Sequence, residues 1–134
     1  MLDWLRKKKE VPLTGAPAVR RQKTYSAESG YVYQYFYEGQ RPADRDGAAG
    51  VQYVFNVSAD RKTSSMVSVF LAAATLEGWE QEHGRALAAT ERYAVAKMAL
   101  FQAFDRRAEP SLMRDEVRVA ADDAEAILTA LDIE

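Results

Sequence analysis

Glu80 and His83 have the Glu-x-x-His spacing that sets both side chains on one helix face, as in the metal sites of helical bundles. Such sites need the motif twice, with further carboxylates, and this sequence has it once, with its single histidine. The reading is a solvated helix end, and no metal is expected. Asp44 and Asp46 open like a calcium loop, but the fifth position is Ala48 and the twelfth is Phe55, where oxygen ligands are required. A hairpin connection accounts for these residues better. Thr63, Ser64 and Ser65 lie in a turn without a nucleophile-elbow context and without an identifiable base. The Gly47-Ala-Ala-Gly50 run precedes a strand, whereas a phosphate cradle precedes a helix. The chain has no cysteine, which excludes thiol chemistry and Cys-based zinc. No catalytic residue and no cofactor are assigned, and the protein is expected not to be an enzyme. A carboxylate pair assembled only by the fold stays open.

Two features survive this screen. Tyrosines stand at 31, 33, 35 and 37, the period that sends side chains to one face of a strand. Lys97 interrupts an otherwise apolar helix arc and falls between Phe101 and Phe104. Its stem is expected along the hydrophobic surface with the ammonium in water, the alternative being an ion pair or a ligand-binding cation.

The elements that position these residues follow from period and punctuation. Residues 30–39 alternate as a strand bracketed by glycines, and residues 40–50 form a connection rich in turn formers. Residues 51–58 and 66–72 are two further strands, so the three form an antiparallel meander. Leu76 and Trp79 mark a short helix ended by Gly84. Residues 86–107, rich in alanine and free of glycine and proline, form the long helix, with Leu87, Tyr93, Ala94, Met98, Leu100, Phe101 and Phe104 on its packing arc. Beyond Pro110 two readings stand. A fourth strand is followed by a helix capped by Asp122 with Ala124, Ile127, Leu128 and Leu131 inward; or a single helix carries Met113, Val117, Ala120 and Ala124 on one face. Strand then helix is preferred, because Asp122 and Asp123 suit a first turn. The fold class is α+β: a meander of three strands, or four, on a long helix with one or two shorter ones.

The chain has 134 residues, 48% hydrophobic and 28% charged, the proportions of one ordinary domain. Its net charge of -2 hides an asymmetry: seven bases against two acids make residues 1–23 +5, leaving -7 on the remainder. Residues 1–24 are read as a basic, flexible arm and 25–134 as a single domain. No apolar run is long enough to span a bilayer and no export signal is visible, so a cytoplasmic location is expected.

Function divides into two expectations. With the tyrosines facing the long helix, the opposite sheet face carries Val32, Phe36, Val54, Met66 and Phe70, which is too apolar to stand open to water. A non-catalytic interaction or scaffold domain would use that face to form a homodimer or to dock a protein partner. Alternatively, sheet aromatics would stack single-stranded nucleic acid while Lys7, Lys8, Lys9, Arg20, Arg21 and Lys23 hold phosphates. Leu2, Trp4 and Leu5 beside the three lysines would rest on a membrane only weakly.

Overall fold

The computed structural model describes residues 11–133. Five strands form one sheet in sequence order: β1 (Lys23–Ser26), β2 (Val32–Arg45), β3 (Ala48–Ser58), β4 (Ser65–Ala72) and β5 (Val117–Arg118). Strands β1 to β4 are antiparallel, and β5 runs parallel to β4. Helices α1 (Ala73–His83), α2 (Ala89–Arg106) and α3 (Ala121–Ala130) share one core with a single face of the sheet, making the fold α+β. No helix among the described residues is long and apolar enough to cross a membrane.

The sheet is larger than the sequence suggests at both of its ends. Asp46 and Gly47 take φ of 54° and 83°, the two positive values that let a two-residue turn match the twist of a hairpin. Residues 40–45 and 48–50, read as connection, therefore pair as strand. Pro42 is tolerated because its missing N–H lies on the outer edge of β2, the side on which Gln40 bonds Thr14. β1 was not anticipated at all; it pairs Lys23 with Tyr35 and Tyr25 with Tyr33, so an arm boundary at residue 24 falls inside a strand.

A bulge at Glu38, between Tyr37 and Gly39, changes the parity of β2. Before it, Tyr33, Tyr35 and Tyr37 face the helices. After it the even positions do, and Arg41 and Arg45 are delivered to the opposite face, beside Gln52 and Ala48 of β3.

On the helix face Tyr33, Tyr53, Phe55, Val67 and Val69 are fully buried against Val95, Leu100 and Phe104 of α2. The anticipated arc is joined by Ala96, Ala99 and Ala103, all buried, whose small side chains let the helix approach closely. Aromatic rings interleave across the contact. Phe104 stacks on Tyr33 at 4.1 Å and Phe101 on Tyr25 at 4.3 Å, while Tyr93 lies 4.6 Å from Tyr37. The strand-then-helix reading of the C-terminus holds, with two changes: Pro110–Arg114 is a 3-10 turn, and α3 is capped by Ala120, leaving Asp122 and Asp123 in its first turn.

The buried phenols predict alkaline behaviour. Burial, helped by the hydrogen bond to Asp105 (2.8 Å), pushes Tyr25 up to about 12; burial, with Tyr93 nearby, pushes Tyr35 up to about 12. Folded values above the unfolded one mean stability intact below pH ~10 and lost as pH rises toward ~12. In a pH titration the phenolate absorbance of these residues is expected to appear together with loss of near-ultraviolet dichroism. Titration of all seven tyrosines near the free value, with the fold intact, would contradict this.

Candidate anion-binding cleft

The edge of β2 beyond Phe36 is free of β1, and there Thr14 forms an isolated antiparallel bridge to Gln40, with N···O distances of 2.9 and 2.8 Å. Pinned by this bridge at one end and by β1 at the other, residues 15–22 run along the sheet margin. Their side chains alternate: Arg20 and Gln22 reach the face away from the helices, and Val19 and Arg21, followed by Lys23, reach the helix side. The basic cluster of the arm is thus divided between two faces. Lys7, Lys8 and Lys9, and with them Leu2, Trp4 and Leu5, lie outside the described residues.

On the helix side, Pro17, Val19, Arg21 and Lys23 form one wall of a cleft of about 400 Å³. Tyr35 and Tyr37 form its floor, and Tyr93 and Lys97 of α2 its other wall. Lys97 is one helical turn from both Tyr93 and Phe101, and its ammonium lies 5.8 Å from the Phe101 ring centroid. No carboxylate among the described residues pairs with Arg21, Lys23 or Lys97.

Burial first, and then the charge of Lys23, lower the pKa of Lys97. Burial raises Tyr35, Tyr37 and Tyr93, with neighbouring phenols adding to the shift of the first two, so at neutral pH all three are O–H donors. The Tyr37 hydroxyl donates to Gln40 Oε1 at 3.3 Å, whereas those of Tyr35 and Tyr93 have no protein partner among the described residues. Three uncompensated cations and two free phenols around an aromatic floor suit an oxyanion attached to an apolar or aromatic body.

Charged side chains cover two of the aromatic rings on the opposite sheet face. Val54 and Phe70 are both buried there. The Arg45 guanidinium lies 5.4 Å over the Phe70 ring and donates to Glu116 at 2.8 and 3.1 Å, and Glu116 also accepts from Ser68 (2.7 Å) and Gln52 (3.2 Å). Burial works to raise the Glu116 pKa, but the Arg45 and Ser68 hydrogen bonds, the Arg45 charge and Gln52 outweigh it and hold the group below its ordinary value. Arg20 lies 3.8 Å over the Phe36 ring and grips Glu38 through two bonds of 3.0 and 3.1 Å. Of the five residues expected to form a docking face, only Val32 and Met66 stand exposed, while Phe36 is half-buried and Val54 and Phe70 are buried.

The remaining chemical motifs are taken up by backbone hydrogen bonds and ion pairs. Glu80 accepts the Leu87 N–H at 2.7 Å, and His83 stacks on Trp79 and donates from Nδ1 to the Trp79 carbonyl at 2.9 Å. Asp46 pairs with Arg118 at 2.9 Å. Among the described residues no group of three acidic or histidine side chains could hold a metal ion. Sequence reading singled out Lys97, Arg21, Lys23 and the tyrosines separately, but it missed Tyr93, Val19 and Pro17 as cleft residues, because their role depends on where the arm lies. Comparison with protein-family models, with curated proteins and with solved structures finds no match to this chain.

Proposed function

We propose that this chain is a non-catalytic binding domain whose ligand is a small molecule bearing an oxyanion on an aromatic or apolar body. The observation that carries the reading is the half-buried Lys97, which shares the cleft with Arg21 and Lys23 and has no carboxylate partner among the described residues. A fold does not gather like charges around a partly desolvated ammonium for its own stability. A small ligand is favoured over a nucleic-acid polymer because the net charge of residues 24–134 is -7, which repels a long phosphate chain. Docking of a protein or a second copy through the outer sheet face ranks lower, since of the five apolar residues expected there Val54 and Phe70 are already buried within the chain.

Calorimetric titration with phenyl phosphate tests the reading. Binding is expected to weaken as salt rises, and Lys97→Met is expected to lower affinity by about tenfold or more, the worth of one charge-assisted contact. Because Lys97 carries a charge that burial and Lys23 disfavour, the same substitution should leave Tm unchanged or higher. Equal affinity in wild type and Lys97→Met, or no binding at millimolar phenyl phosphate, would sink the proposal.

A further inference from the structure

The two walls of the cleft are attached to the molecule very differently. Tyr93 and Lys97 stand on α2, which the buried core holds to the sheet. Pro17, Val19 and Arg21 belong to residues 15–22, which have no backbone partner in the sheet among the described residues. The backbone of this segment is held only at its ends, by the Thr14–Gln40 bridge and by the first β1 pair, Lys23 with Tyr35. Every residue in it is exposed, and Val19 is 63% exposed although it faces the cleft. With so little apolar contact, the segment lies at the low end of local stability.

Charge works against this wall. Arg21 and Lys23 face Lys97 across the cleft with no carboxylate paired to any of them among the described residues, and like charges so placed push the segment away from α2. One side-chain contact pulls the other way. Arg20, next to Arg21 in the chain, turns to the outer face, where it grips Glu38 at 3.0 and 3.1 Å and lies 3.8 Å over the Phe36 ring. Neither Arg20 nor Glu38 lines the cleft.

An oxyanion between the walls reverses the balance, since both attract it, and a ligand that prefers the closed arrangement stabilises that arrangement by the same free energy. We propose, resting on the reading of the cleft given above, that residues 15–22 are a strap which ligand binding fastens, with Arg20 and Glu38 as the latch that holds it near α2. Affinity for the anion then depends on a pair of residues that the anion does not touch.

Two measurements with phenyl phosphate on the whole chain test this. Glu38→Gln removes an acidic charge near an anion site, so direct electrostatics would strengthen binding. Loss of the latch is expected instead to weaken it by about two- to fivefold, the worth of an exposed ion pair. The second measurement uses the lack of native cysteine: a nitroxide on Ala18→Cys, a strap position that does not line the cleft, reports the motion of the strap. Its spectral lines are expected to broaden as phenyl phosphate saturates the protein. Unchanged or tighter binding in Glu38→Gln, or unchanged nitroxide lines while calorimetry shows the ligand bound, would overturn the strap and leave the cleft reading standing. No calorimetric binding by the wild-type chain would remove both.

Discussion

Phe104→Ala is expected to cost about 3–5 kcal/mol of folding stability, the range for removing a buried aromatic ring. Phe104 is fully buried near the end of α2 and joins three strand tyrosines at once: it stacks on Tyr33 at 4.1 Å and lies 5.8 Å from Tyr25 and 6.3 Å from Tyr35. Truncation removes the transfer free energy of the ring and leaves a cavity that a sheet on one side and a helix on the other cannot collapse to fill. Domains of this size have total stabilities of about 5–15 kcal/mol, so the variant is expected to unfold at a much lower urea midpoint with an unchanged slope. Phe101→Ala serves as the comparison. Its ring is only partly buried, stacked on Tyr25 at the margin, and the loss should be smaller. A Phe104→Ala cost below about 1 kcal/mol would mean that α2 is not held to the sheet through this ring.

Gly39→Val is expected to cost about 2–4 kcal/mol, combining backbone strain with overpacking, and to weaken phenyl phosphate binding as well. Gly39 has φ of +126°, a value that a β-branched residue does not adopt without strain. A Cβ there would also come within 2.8 Å of the Thr14 carbonyl oxygen and 3.1 Å of Leu13 Cβ. Those contacts belong to the arm, whose bridge to Gln40 sets the course of residues 15–22 and so places Arg21 and Lys23 opposite Lys97. Hydrogen exchange reads the mechanism directly, since the Thr14 and Gln40 amides should lose protection before those of β3. Gly47→Asn is the control: the φ there is +83°, a Cβ meets nothing within 4 Å, and asparagine tolerates the left-handed region, so little change is expected. Wild-type stability with a protected Thr14 amide in Gly39→Val would mean that the close approach of the arm at Gly39 does not set the course of residues 15–22.

Much of this molecule is legible from local pattern. The alternation of residues 31–37, 51–57 and 67–71 identified the helix-facing side of three strands, because a strand buried on one face must repeat with a period of two. The long helix followed from a run of alanine and straight-chain residues without glycine or proline, and Gly84 stopped the helix before it by taking φ of 67°. The bulge is what local pattern could not supply. Alternation continued past Glu38 would have turned Arg41 and Arg45 toward the helices; the extra residue sends them to the other face, where Arg45 meets Glu116, 71 positions later, and covers Phe70.

The candidate site divides in the same way. That phenols lie on one face of a strand, that Lys97 interrupts an apolar helix surface, and that the arm is basic can all be read from residue type and short-range period. That Arg20 is neutralised by Glu38 while Arg21 and Lys23 come to Lys97, and that Gln34 is buried with its oxygen unmet, follows from the folded arrangement alone. These outcomes depend on the register of β1 on β2 and on one edge bridge at Thr14, and register between segments distant in the chain is set by packing and backbone pairing that no local period encodes.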